Sequence, residues 1–123
     1  MYITKVSKLL AVCFFLSLST QSMADCYGAA SEGYDAYRDA KKAYRSNDLA
    51  SCQRYARKAY RHFSYAESEA SSCSCSSAES EAYDGYRDAK KAYRANDLSS
   101  CQIYARKAYR HGSDVESYAN YCD

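Results

Sequence analysis

The sequence has no proline, no tryptophan and no recognisable enzyme motif, and large apolar residues are scarce. Beyond residue 24, the Leu, Ile, Val, Phe and Met residues are Leu49, Phe63, Leu98, Ile103 and Val115. Five large apolar residues are too few for an ordinary aliphatic core, and most chains with so few of them are disordered. Cys–His and carboxylate pairs exist, but each occurs twice and none has the setting of an activated nucleophile. We therefore predict a non-enzymatic protein without a cofactor.

Long hydrophobic runs are also missing. The longest apolar run covers residues 9–18, ten residues, whereas a helix needs about 20 to cross a bilayer. Two lysines precede this run, and Ser22-Met23-Ala24 follows it with small residues at the −3 and −1 positions of a cleavage site. This pattern predicts a signal peptide over residues 1–24. We expect a secreted or periplasmic chain with no transmembrane segment after cleavage.

Cysteine, alanine and tyrosine are what the chain does have. Removing residues 1–24 lowers the formal charge from +2 to zero and leaves eighteen Ala and fourteen Tyr. It also leaves six cysteines, an even number that predicts a disulfide framework in a small exported chain. Alanine and tyrosine must then form most of the buried surface, and disulfides must offset part of the entropy cost of folding.

An internal repeat organises the chain. Residues 26–74 and 75–123 align without a gap at an offset of 49, and 34 of the 49 positions are identical. Such similarity indicates tandem duplication of one supersecondary unit. We predict two repeats of one helical hairpin, at residues 25–74 and 75–123.

Two helices are predicted in each unit. In the first helix, small residues recur at three- and four-residue steps from Gly33 to Ala43, and Asp48 suits the N-cap of the second helix, with Asn47 in a left-handed position before it. The second helix carries a heptad stripe: Leu49, Cys52, Ala56, Ala59, Phe63, Ala66, Ala70 and Cys73, repeated as Leu98, Cys101, Ala105, Ala108, Gly112, Val115, Ala119 and Cys122. A break or kink is expected at Gly112-Ser113-Asp114, and a non-helical linker over Ser71–Ser77.

Folding each hairpin about its turn brings its outer cysteines together. We therefore predict the disulfides Cys26–Cys73 and Cys75–Cys122. Cys52 and Cys101 lie near the turns and either bridge the two units or are held beyond the roughly 7 Å Cα separation that a disulfide allows.

The segment Ala43–Tyr60 and its copy resemble a tetratricopeptide repeat, over about twenty residues per unit. Tyr44 matches the aromatic residue before the turn, Asn47-Asp48-Leu49 stands at the turn, and Cys52 and Ala59 match two small positions of the second helix. The resemblance implies a helical interaction scaffold and transfers no binding residue. The predicted fold is all-α: two tandem disulfide-stapled antiparallel helical hairpins that form a four-helix bundle or a short TPR-like stack.

Charge is concentrated around the two turns. All fifteen basic residues beyond residue 24 lie within 38–61 and 87–110, where four acids leave a net charge of +11. In an up-down-up-down bundle both turns share one end, so we predict a basic binding end formed by Lys41, Lys42, Arg45, Arg57, Lys90, Lys91, Arg94 and Arg106. The expected partner is a protein or another anionic surface, glycan or lipid headgroup; nucleic acid is the least expected because the chain is exported. Eight tyrosines beside the apolar stripes are expected to fill the core.

One alternative comes from a different class. Cys52, Cys101, His62 and His111 could serve a small periplasmic metal-binding or thiol-redox protein. Cys73-Ser74-Cys75 does not have the paired spacing that zinc clusters use, and two adjacent disulfide halves explain it better. We therefore predict no metal site, and a count of free thiols separates the alternative from the binding module.

Overall fold

The computed structural model of the protein describes residues 26–122. These residues form four α-helices: α1 over 26–44, α2 over Leu49–Ser72, α3 over Ser76–Tyr93 and α4 over Leu98–Asn120. No strand occurs between residues 26 and 122, so the all-α prediction is confirmed. Within the same range, no helix has the length and apolar character needed to cross a bilayer. The predicted signal peptide lies outside the described residues.

The helices pair as antiparallel hairpins that close into a bundle. α3 packs against both α2 and α4, and α2 also touches α4 diagonally. α1 reaches α4 as well, since the rings of Tyr37 and Tyr109 lie 5.9 Å apart. This contact between the first and last helices makes the architecture a closed four-helix bundle, because an open stack of two hairpins leaves these helices apart.

Both turns lie at one end, as predicted. Gln53 at the start of α2 donates a hydrogen bond of 2.8 Å to the carbonyl of Ala95 in the second turn. Gln102 at the start of α4 donates one of 2.9 Å to the carbonyl of Ser46 in the first turn. The two turns are thus tied to each other across the bundle.

All six cysteines beyond residue 24 are paired in disulfides. Cys26–Cys73 and Cys75–Cys122 staple the hairpins at the end opposite the turns, with Cα–Cα distances of 5.3 and 5.9 Å. Cys52–Cys101 joins α2 to α4 with a Cα–Cα distance of 6.3 Å, which settles the pairing that the sequence left open. Alanines surround this last bridge and let the diagonal helices approach closely.

The helix caps confirm one prediction and correct another. Asp48 caps α2 by accepting a hydrogen bond of 2.8 Å from the Ser51 N–H, and Asp97 does the same for α4. Asn47 is not left-handed, because Ser74 alone among the described non-glycine residues has a positive φ, of 60°. Ser46 instead satisfies two carbonyls near the end of α1: its hydroxyl donates 2.8 Å to the carbonyl of Lys42, and its N–H donates 3.1 Å to that of Ala43.

The predicted break at Gly112 was wrong, and the predicted linker is shorter than expected. α4 is continuous through Gly112, and the predicted linker shrinks to Cys73, Ser74 and Cys75. Gly112 serves a close approach, since a Cβ there would lie 2.8 Å from Cα of Tyr37 on α1. The serines beside the linker belong to α2 and α3, and the N–H groups of the three linker residues donate back to the carbonyls of Glu69, Ser71 and Ala70 near the end of α2.

Alanine makes the core. Of the 22 buried apolar residues, sixteen are alanines, and Phe63 and Val115 are the largest fully buried side chains. The predicted stripe is confirmed, because its six central positions are buried in both α2 and α4. The expectation that tyrosine fills the core needs correction: every described tyrosine is half-buried or exposed. Tyr60, Tyr86 and Tyr109 cover the central alanines from outside.

Candidate functional site

The basic end, defined as the half of the bundle formed by residues 38–61 and 87–110, carries fifteen Lys and Arg residues and four Asp. The helix halves that carry them meet here because the helices are antiparallel and the turns adjoin. The opposite half, which includes the two outer disulfides, is called the open end and carries the remaining acids of the described chain. The predicted polarity of charge is therefore present in the fold.

A groove of about 620 Å³ lies on the second hairpin at this end. It runs along α3, past the second turn and onto the first two turns of α4. The lining residues are mostly basic, aromatic or capping residues: Tyr83, Tyr86, Arg87, Lys90, Lys91, Arg94, Ala95, Asn96, Asp97, Ser100 and Tyr104. We call it the second-hairpin groove. Three of the predicted binding residues, Lys90, Lys91 and Arg94, lie in it.

Tyrosine rings hold the groove's cations in place. The Lys90 Nζ lies 5.3 Å from the ring centre of Tyr86 and also donates a hydrogen bond of 3.2 Å to its hydroxyl. Lys91 lies 5.6 Å from the ring of Tyr104. Such contacts are worth about 0.5–1 kcal/mol at exposed sites. They position the charges without neutralising them.

The carboxylates of the basic end are all engaged elsewhere. Asp97, the one acid of the groove, accepts hydrogen bonds of 2.8 and 3.0 Å from the backbone and hydroxyl of Ser100. Asp48 is its copy, and there the Ser51 N–H, the Ser51 hydroxyl and the charge of Arg54 hold the carboxyl pKa below its usual range. Asp39 and Asp88 face histidines. As a result, no Lys or Arg within residues 26–122 forms a salt bridge.

The first hairpin repeats these positions. Ten of the eleven lining residues have an identical residue 49 positions earlier, and Ala95 alone differs, with Ser46 as its counterpart. The contacts recur as well: Lys41 lies 5.2 Å from the ring of Tyr37, and Lys42 lies 5.8 Å from that of Tyr55. We call these residues the first-hairpin counterpart. They include the predicted residues Lys41, Lys42 and Arg45.

Arg57 and Arg106 lie elsewhere on the basic end. Arg57 on α2 is 6.0 Å from the ring of Tyr93 on α3. Arg106 on α4 lines a smaller depression of about 320 Å³ together with Tyr44 of α1. The eight predicted residues therefore occupy two hairpin faces and two seams between hairpins, and do not converge on one pocket.

A second arrangement lies between the helices of each hairpin. The Nδ1–H of His62 on α2 donates a hydrogen bond of 2.6 Å to Glu32 Oε2 on α1, and Nε2 lies 3.5 Å from Asp39 Oδ2. Asp35 adds a third carboxylate to this group. In the second hairpin, His111 faces Glu81, Asp84 and Asp88, with distances of 2.6 Å to Glu81 and 3.3 Å to Asp88.

These histidine clusters were not predicted, although the sequence carries a signal for them. Counting eleven residues on from Cys26 gives Tyr37, and counting eleven back from Cys73 gives His62. The predicted disulfide therefore places His62 opposite a helix segment with acids at 35 and 39. The contacts between lysines and tyrosine rings had no such signal, because they depend on side-chain rotamers.

Comparison of the chain with protein families, curated proteins and solved structures gave no match. Function must therefore be inferred from the charges and geometry of the bundle.

Proposed function

We propose that this is an exported, non-enzymatic helical binding protein that engages an anionic partner through its basic end. Export is supported by three disulfides in a chain with a predicted signal peptide, since disulfides persist in oxidising compartments. A small alanine core held by these bridges suits a rigid scaffold that displays a surface.

The observation that carries the proposal is the absence of salt bridges at the basic end. Fifteen Lys and Arg residues share this half of the bundle, yet none of them in the described chain pairs with a carboxylate. Lys and Arg side chains held close together repel one another and raise the local concentration of anions. An anionic partner relieves that repulsion. A surface whose charges are already balanced would not need such a partner.

The tyrosines favour a partner with more than bare charge. In the second-hairpin groove, Tyr86 and Tyr104 present half-buried rings beside Lys90 and Lys91. Rings fixed by packing offer apolar contact at low entropic cost, which is why tyrosine is common in binding surfaces. Sulfated or phosphorylated glycans, anionic lipid headgroups and acidic proteins all combine charge with apolar surface.

The alternative, a metal-binding or thiol-redox protein that uses Cys52, Cys101, His62 and His111, requires the two cysteines as thiols. They form the diagonal disulfide. A redox role would need this buried bridge to open, and a thiol count on the secreted protein tests that: we expect no free thiol, and two reactive thiols would favour the alternative.

Retention on immobilised heparin and on phosphatidylglycerol vesicles tests the proposal. The variant K41Q/K42Q/K90Q/K91Q removes four charges from the two hairpin faces. The control S64E/S68E/S77E/S80E, at exposed serines outside the basic end, lowers the net charge by the same amount. We expect the lysine variant alone to elute at clearly lower salt, and the matrix that responds identifies glycan or lipid. Equal elution of wild type and both variants on both matrices would remove the proposal.

A further inference from the structure

The histidine clusters contain more carboxylates than an ion pair needs. In each hairpin three acids on one helix, at spacings of three and four residues, face a single imidazole on the other helix: Glu32, Asp35 and Asp39 toward His62, and Glu81, Asp84 and Asp88 toward His111. Glu32 alone would satisfy Nδ1 at 2.6 Å. The additional acids therefore need another explanation.

Asp35 and Asp84 are the carboxylates that point to a ligand. Neither carboxylate makes a salt bridge or hydrogen bond with another part of the described chain. Each nevertheless has a carboxylate oxygen within 4.8 Å of the carboxylate oxygen of the neighbouring Glu and of a ring nitrogen of the His. Carboxylates held this close repel each other unless a cation lies between them. No Lys or Arg within residues 26–122 supplies that cation, because none of them forms a salt bridge, and the imidazole carries a charge only when it is protonated.

We propose that each hairpin binds one divalent transition-metal ion through an imidazole and two carboxylates: His62, Glu32 and Asp35 in the first hairpin, and His111, Glu81 and Asp84 in the second. These sites use none of the cysteines, which are committed to disulfides. They are also separate from the lysines and tyrosines of the basic end, so that the proposed function and this inference stand or fall independently.

The chemistry of the donor set selects the class of metal. Carboxylate oxygens alone suit Mg²⁺ and Ca²⁺, whereas an imidazole nitrogen favours Zn²⁺ and its first-row neighbours. Three protein ligands leave a position for water. The helices present these side chains partly exposed, which leaves a path for the ion from solvent.

The fourth residue of each cluster fits the outer layer of a metal site. A metal that replaces the proton on Nδ1 of His62 leaves the Nε2–H facing Asp39, at 3.5 Å. In the second hairpin, Nε2 of His111 faces Asp88 at 3.3 Å. Carboxylates in this position fix the ring orientation of metal-bound histidines.

Titration calorimetry of the untagged, oxidised protein with Zn²⁺ tests the inference. We expect two equivalents to bind, and Ca²⁺ to bind more weakly. The decisive variants are Asp35→Asn and Asp84→Asn, because these carboxylates have no partner in the described chain and their removal leaves the His–Glu bonds intact. Each is expected to weaken one of the two sites by at least about tenfold, and the double variant both sites. H62Q and H111Q should each remove one equivalent.

The control is Glu67→Gln, an acid on α2 that belongs to neither cluster. It should leave both Zn²⁺ equivalents in place, and circular dichroism should show the same helix content for every variant. Three results would overturn the inference: no Zn²⁺ binding, Zn²⁺ binding unchanged by the Asp and His substitutions, or Ca²⁺ binding as tight as Zn²⁺. The last would indicate an acidic surface without a built site.

Discussion

The two hairpins agree at the candidate sites and differ at four central packing positions. Ten of the eleven residues that line the second-hairpin groove are identical in the first hairpin, and so are all four members of the histidine clusters. Four buried positions at the centre of each hairpin are not identical. Phe63 corresponds to Gly112, and Val115 corresponds to Ala66. The two hairpins therefore share their candidate sites and differ in central packing, and further differences, such as Arg54 against Ile103, lie at exposed positions.

The interior differences come in matched pairs. Phe63 on α2 packs against Gly85 on α3, where any Cβ would clash with the ring. Val115 on α4 packs against Gly33 on α1, where a Cβ would lie 2.6 Å from Val115 Cγ1. Because interiors are close-packed, each large side chain needs space on the facing helix. At these two places the core is thus constrained pair by pair.

The largest expected effect concerns the pair Phe63–Gly85. Phe63→Ala should lower the free energy of unfolding by about 3–5 kcal/mol, since it removes the largest buried side chain. Gly85→Ala alone should also destabilise, by about 1–3 kcal/mol, through overpacking. Together the two changes should cost less than their sum, as urea unfolding of the oxidised protein will show. Simple additivity would mean that the two positions do not constrain each other.

The disulfides offer the next comparison. Cys26–Cys73 and Cys75–Cys122 have the same sequence separation of 47. Replacing either pair by serine should therefore cost a similar amount, about 2–4 kcal/mol. Thermal melts of the two double-serine variants test this. A large difference between the variants would show that the hairpins are stabilised unequally at the open end.

The sequence predicted the features that follow from spacing along one helix or from folding one hairpin about its turn, but the histidine clusters within each hairpin were missed. The stripe from Cys52 to Ala70 follows from spacing, and the outer disulfides follow from folding each hairpin about its turn. It failed where a second element decides. Gly112 looked like a helix break because its role depends on the backbone of Tyr37, which another hairpin supplies. The tyrosines were expected inside because few other large side chains are present to fill a core. Alanine instead lets the helices approach so closely that the rings stay at the outside of the bundle.

The similarity of the two hairpin faces predicts equal losses of heparin affinity for matching lysine variants, and these losses are smaller than the stability effects above. K41Q/K42Q and K90Q/K91Q should weaken heparin binding to the same extent. Two exposed ion pairs of up to about 1 kcal/mol each correspond to a loss of affinity on the order of tenfold. Affinity measured at several salt concentrations tests the symmetry. If one variant lost all binding and the other none, a single hairpin face would be the binding surface.

The smallest effect concerns the cap at Asp48. Its pKa is lowered in the folded state, so the ionised cap stabilises the fold above the ordinary Asp range, and that contribution disappears as the pH falls through the folded-state pKa. Asp48→Asn keeps a cap acceptor but does not titrate. We expect its acid unfolding curve to be shallower than that of wild type. Curves that coincide would show that the cap charge contributes nothing measurable.

The proposed basic end requires the fold to gather the cations, because the chain beyond residue 24 has no net charge. The most direct test compares the oxidised protein with the reduced protein carrying neutral carbamidomethyl groups on its cysteines, on immobilised heparin. Both carry the same Lys, Arg, Asp and Glu residues. We expect the oxidised form to elute at distinctly higher salt. Elution of both forms at the same salt would contradict the proposal, since binding would then follow composition and not the assembled surface.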